Sequence, residues 1–169
     1  WRTLQSLPQL FVAGSPHNLL RASSLLSEFG IRGMLVGDGR EYQRADAIRR
    51  TGQRIIVPLD VPEPYDVEDP LDALNIDLSD LKHWELAPSN PAILANHNIP
   101  FVFTSHGLSN PSQILTNVRK AIRRGLRSGL ALYALTAGPA NWLNVDRHTG
   151  TLHPGKTASL IVTDGPLFS

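Results

Sequence analysis

Leu135-Thr-Ala-Gly-Pro-Ala-Asn-Trp-Leu143 is followed by Asp146-Arg147, Gly150-Thr151-Leu152, Pro154-Gly155-Lys156, Ala158-Ser159-Leu160-Ile161-Val162 and Asp164-Gly165. This stretch decides how the chain is read. Pro154-Gly155 sets a tight turn, because proline fixes φ and glycine supplies the open one. The apolar run Leu160-Ile161-Val162 then ends at Asp164-Gly165-Pro166, which is strand and turn chemistry. Lys156, alone beside the turn, reads as a solvated loop lysine.

Working outward, four further apolar runs alternate with helical patterns. Gln9 to Ala13 reads as a buried strand. Ser15 can then cap a helix with Pro16 at its first position, and Leu19, Ala22, Leu26 and Phe29 form one apolar face. Gly30 closes that helix. Gly33 to Val36 is a second strand. Arg40 to Thr51 is a second helix with Tyr42, Ala45 and Ile48 inward and Gly52 as its stop. Arg54 to Leu59 is a third strand, and Phe101 to Thr104 a fourth, entered through Pro100. Pro111 to Leu126 is a helix with Ile114, Val118, Ala121 and Ile122 inward. Continuous apolar strands separated by amphipathic helices give an α/β fold with a parallel sheet. Val61 to Leu86 is too long for a simple connection and reads as an excursion over one face.

The chain of 169 residues has 41% hydrophobic and 18% charged residues, the profile of one soluble globular domain. No window approaches the roughly 18 apolar residues that span a bilayer, so no membrane partner is expected. A net charge of +1 gives no general pull toward nucleic acid. The absence of cysteine excludes disulfides and any cysteine-held metal. No signal-peptide pattern opens the chain, and the compartment stays open. Trp1 in place of methionine leads us to expect a fragment or a processed form.

The closing stretch resembles the C-terminal segment of the amidohydrolase superfamily, imidazolonepropionase-like metal-dependent hydrolases on a (β/α)8 barrel. The matching positions are Thr136, Pro139, Ala140, Asp146, Arg147, Gly150, Thr151, Leu152, Pro154, Gly155, Lys156, Ala158, Leu160, Ile161, Val162, Asp164 and Gly165. Gly138 stands where the family usually has Asn, Asn144 where it has Gly, and Ser159 where it has Asp. Pro88 to Phe103 is similar to the family's helix and last barrel strand. Asn117 to Ala121 with Gly125-Leu126 and Ala131-Leu132 is similar to the helix pair that follows. A full barrel takes about 200 residues or more. The resemblance therefore implies the C-terminal half of a TIM-like barrel, strands five to eight, over residues 1–140. Residues 141–169 would end in a strand of the small composite β-sandwich.

Function in such folds collects at the carboxyl ends of strands. That rule selects Ala13-Gly14, Gly37-Asp38-Gly39, Pro58-Leu59-Asp60 and Thr104-Ser105-His106. By the resemblance, the fifth-strand metal-ligand position falls at Ala13, the sixth-strand one at Gly37 and the eighth-strand aspartate at His106. Ala and Gly offer no side-chain ligand. Neutral His can bind zinc but does not readily replace a carboxylate that also takes a proton from the attacking water. Zinc or another divalent ion is thus implied for the intact family and is not expected to be held by these residues alone.

His106 is the candidate catalytic residue, as substrate contact or replacement proton acceptor; equally, a His before Gly107 can end a strand and bond a backbone carbonyl. Asp38, Asp60 and Ser105 are candidate lining residues, and both aspartates also suit turns. His17 reads as solvent-facing, and His83, His97, His148 and His153 as surface or structural. Gly37-Asp38-Gly39 is a weak match to a dinucleotide loop, with Tyr42 where the third glycine should stand. Arg119, Lys120, Arg123, Arg124 and Arg127 form a basic helix face that reads as a solvated flank.

Two functions follow. One is an amidohydrolase whose intact form hydrolyses amide or cyclic-amide C–N bonds with metal-activated water, the isolated fragment being inactive. The other is a binding or assembly module without the metal. A four-strand half-barrel leaves open edges, so pairing with an N-terminal half or a second copy is expected.

Overall fold

The four central apolar runs become four parallel strands in a computed structural model that describes residues 7–168. They are β1 (Gln9–Val12), β2 (Gly33–Val36), β3 (Arg54–Pro58) and β4 (Phe101–Thr104), in the order β1-β2-β3-β4. Each strand pairs with its neighbour in the chain: Leu35 lies opposite Phe11 and Ile55, and Ile55 opposite Phe101. Residues in one row therefore share a face.

The row Leu35, Ile55 and Phe101, with Val57 and Phe103, packs under the helices. Helix α1 (Pro16–Glu28) contributes Leu19 and Leu26 to that core. Its N-terminus is closed by Ser15, whose Oγ accepts the Asn18 N–H at 3.2 Å. Phe29 does not join the core: it is the C-terminal cap of α1 and lies exposed, one position past the apolar stripe. The second helix begins as a 3-10 turn at Glu41–Arg44 and becomes α2 (Ala45–Thr51), with Ala45 and Ile48 buried. Tyr42 is half-buried at its side. The excursion itself holds two short helices, α3 (Pro70–Ala73) and α4 (Leu78–Leu86). Helix α5 (Asn90–Asn96) leads into β4, and α6 (Gln113–Arg123), α7 (Ser128–Leu135) and α8 (Ala137–Trp142) follow it.

The other face of the sheet is covered only in part. Met34, Ile56 and Val102 pack against Trp142 of α8, and the Arg54 guanidinium lies 5.6 Å from the Trp142 ring centre. Toward β1 no described element covers this face, and Leu10 and Val12 are 53% and 68% exposed. Two departures from the family pattern have local causes at α8. A Cβ on Gly138 would stand 2.9 Å from Val102 Cγ1 and 2.8 Å from the Tyr133 carbonyl oxygen, so only glycine lets α8 lie this close to β4. Asn144, just past α8, has φ of 59°, the left-handed region that glycine favours and asparagine tolerates.

The expected strand at Leu160-Ile161-Val162 is not formed: the three residues are 54%, 73% and 85% exposed and carry no strand pairing. A β-strand exists only through a neighbouring ladder, and no described segment lies alongside to supply one. The chain returns to the core after it: Arg119 donates to the Leu167 carbonyl at 3.1 Å, and Phe168 packs against the main cluster.

Candidate active site

The ladder continues one residue past the strands, which aligns their carboxyl ends into a rim. Ala13 N–H donates to Val36 O, Gly37 N–H to Ile56 O and Leu59 N–H to Thr104 O, at 2.9, 3.0 and 3.0 Å. Asp38 follows β2 half-buried, and its Oδ1 accepts the Arg40 N–H at 3.1 Å in a local turn. Asp60 follows β3 and is exposed. The Ser105–Gly107 turn after β4 comes against it: a Cβ on Gly107 would stand 3.2 Å from Asp60 Oδ2. Ser105 and His106 are exposed in this turn, which the His106 N–H steadies by donating to Thr104 Oγ1 at 3.2 Å. The His106 ring makes no hydrogen bond to the described residues. Asp60 and the His106 turn are thus neighbours, with Asp38 further along the rim toward β1.

Below the rim is a group of side chains the sequence reading passed over. Glu41 is fully buried. Its Oε1 accepts the backbone N–H groups of Asp38 and Gly39 at 2.8 and 3.1 Å, and its Oε2 accepts from Asn90 Nδ2. Asn90 Oδ1 in turn accepts the Tyr42 N–H at 2.8 Å. Asn117 of α6 donates to the Leu59 carbonyl at 2.8 Å, tying α6 to the end of β3. Burial pushes the Glu41 carboxyl above its ordinary value and the Asp38 charge adds to the push, while the hydrogen bonds pull the other way. A polar residue in a first helical turn gives no sign in sequence that it will fold back into the strand end; the closely spaced Gly37 and Gly39 were the available signal.

His83 is buried as well, a structural role for a residue read as surface or structural. Its Nδ1 lies 3.3 Å from Tyr42 Oη, and the two rings stack at 12°. Burial first, then the Arg40 charge, push this imidazole below its ordinary value; Asp38 and Asp80 oppose them. His83 thereby docks the excursion beside the β2 end.

The dinucleotide reading of Gly37-Asp38-Gly39 loses its physical basis here. A phosphate loop needs free backbone N–H groups, and those of Asp38 and Gly39 are taken by Glu41. The basic face is also partly engaged: Arg124 pairs with Glu85 at 2.8 Å and Arg119 holds Leu167 O.

A cavity of about 10 Å³, bounded by Gly39, Leu59, Asp60, Asn90 and Asn117, lies under the rim. It has room for about one water, against roughly 300–1,000 Å³ for a small-molecule pocket. A divalent ion fares no better on these elements alone. Ala13 and Gly37 carry no donor, and no three His, Cys, Asp or Glu side chains converge among the described residues. The strand ends of this chain therefore do not by themselves fit a metal centre.

Parallel strands with helices outside them and polar groups on the carboxyl rim define part of a (β/α) barrel. The chain belongs to the amidohydrolase family, whose profile matches residues 25–168. Among solved structures it is similar to an amidohydrolase from Thermotoga maritima, with a TM-score of 0.72 and 20% identity over 99% of this chain. It is also similar to a prolidase complexed with N-methylphosphonate-L-proline, with a TM-score of 0.58 and 18% identity over 94% of this chain. The chain spans 41% and 38% of those two proteins. No curated protein matches it. No helix among the described residues is long and apolar enough to cross a membrane.

Proposed function

We propose that this chain is the C-terminal half-barrel of a hydrolase acting on amide or cyclic-amide C–N bonds, and that its share of the reaction is substrate contact at the rim. The carrying observation is the juxtaposition of Asp60 with the Ser105–His106 turn at the carboxyl ends of adjacent strands of an amidohydrolase-family sheet. His106, exposed and with no hydrogen bond from its ring to the described residues, is suited to meet a substrate carbonyl or leaving nitrogen. Asp60 and Ser105 would line the same side and Asp38 the next strand end. Metal-activated water is the chemistry the family implies, and its ligands would have to come from other residues. Residues 141–169 would serve as a separate segment, with Leu160-Ile161-Val162 supplying one strand to a β-sandwich.

The test is a survey of amides, cyclic amides and acyl-prolines against the intact protein, followed by His106→Ala. The reading expects turnover and a loss of at least about tenfold in kcat/KM, the lower end of what a positioned acid–base group contributes. Turnover unchanged in His106→Ala would overturn the role of the rim.

A second reading, a binding or assembly module without metal, is favoured by one observation: the side-chain space at Gly37 is taken by Glu41. In either reading the bare face at β1 needs cover, and an N-terminal half-barrel or a second copy of this chain would supply it. Stoichiometric zinc in a hydrolytically active intact protein would exclude the second reading. Metal-free protein under zinc-replete conditions would exclude a metal-dependent enzyme. For the chain by itself the expected outcome in sedimentation is a dimer; a monomer at all concentrations would count against a self-paired face.

A further inference from the structure

Gly37 has no backbone reason to be glycine, since it is not among the residues with positive φ. Its reason is space. A Cβ built on Gly37 would fall inside the Glu41 carboxyl group, against Oε1 and Cδ. No rotation of a flexible end relieves this contact, because the carboxyl group is held from both sides. Oε1 takes two backbone N–H groups and Oε2 takes the Asn90 amide.

We propose that the Glu41 carboxyl group is a resident occupant of the ligand slot at the end of β2: it fills the side-chain space that the family resemblance gives to a metal ligand and, through Asn90, braces the rim in a ligand's place. Glu41 does not itself face a cation. It is 0% exposed, and every group bonded to it presents a hydrogen. A metal ion there would meet three hydrogen-bond donors, and among the described residues no three His, Cys, Asp or Glu side chains converge to hold one. The slot is therefore closed by two residues together, Gly37 and Glu41. Histidine at position 37 could enter only if Glu41 were removed in the same molecule. This inference rests on the geometry of the β2 end and holds under either functional reading.

The test is a mutant cycle in thermal unfolding: the unaltered chain, Gly37→Ala, Glu41→Ala and the double variant. Gly37→Ala in the unaltered background is expected to lower Tm by about 2–12 °C, the scale of an overpacked site in a chain of this length. In the Glu41→Ala background the same change is expected to shift Tm by less than about 2 °C, because contacting residues couple. Equal shifts in the two backgrounds, or a tolerated Gly37→Ala, would overturn the proposal. Should Glu41→Ala fail to fold, amide hydrogen exchange in the unaltered chain decides. Asp38 and Gly39 N–H groups held by Glu41 exchange at least about 100-fold slower than an open loop, the protection expected of buried hydrogen bonds; exchange at loop rates overturns it. A Tm increase on adding zinc chloride that is lost in Glu41→Gln but kept in His106→Ala would make Glu41 a ligand and overturn it too. None of these readouts depends on turnover, so they stand apart from the test of His106.

Discussion

Met34-Leu35-Val36 and Leu160-Ile161-Val162 are nearly the same peptide chemically, and they meet opposite fates. The first is β2, buried between β1 and β3 with helices on one side. The second lies open to solvent with no strand beside it among the described residues. Apolar, β-branched sequence specifies what a segment can become, while a ladder and a covering layer decide whether it does. Within this sheet each strand finds its neighbour in the next βα unit, so the partner is written into the same chain.

The comparison is broken most forcefully by removing what the buried run packs. Leu35→Ala, at a site with no exposure, is expected to cost about 2–5 kcal/mol in denaturant unfolding, the range for a buried leucine. A smaller loss is expected from Asn117→Ala, about 1–3 kcal/mol, because the buried Leu59 carbonyl loses its donor.

Two titrating groups at the β2 end give opposite pH slopes, read as Tm against pH. Glu41 has its folded pKa raised, so the folded state keeps its proton longer than the unfolded one. Its contribution is largest near and below 4.5 and falls as pH rises from there toward the folded value. His83 has its folded pKa lowered, so stability is full above 6.5 and falls as pH drops from there toward the folded value. Glu41→Gln should flatten the first slope and His83→Gln the second, each leaving the other in place. Glu41→Gln should also lower Tm overall, since its amide nitrogen would face the Asn90 amide.

The smallest effect belongs to the tail. Val162→Ser is expected to change stability by less than about 0.5 kcal/mol in this chain, as exposed substitutions do. The same change made where sandwich strands cover the segment should cost several times more. A large cost in this chain alone would show that the run is already packed, and would erase the contrast.

The sheet was legible because its signals are local. Ser15 before Pro16, Gly30 and Gly52 after helical stripes, and Pro100 before an apolar run each act within a few residues. The Leu160–Val162 run is unpaired among the described residues for the complementary reason: strand pairing is a relation between segments, and a single segment does not carry its partner. The rim positions Asp38, Asp60, Ser105 and His106 followed from strand ends. Glu41 and Asn90 did not, because they are far apart in sequence and meet only when α5 folds against the end of β2. Phe29 shows the same limit on a smaller scale, since helical periodicity counts a residue that the helix has already shed as its cap.

The strand order has a consequence for assembly in time. Because β1, β2, β3 and β4 lie side by side in the order they are synthesised, no strand waits for a partner more than one unit away. The widest closure joins β3 to β4 across residues 59–100, where the excursion and α5 intervene. Pairings between close segments are kinetically favoured over distant ones. On a growing chain the β1–β3 layer should therefore zip first, and β4 should dock as the committing step, bringing Asn90 to Glu41 and closing the space beside Gly37.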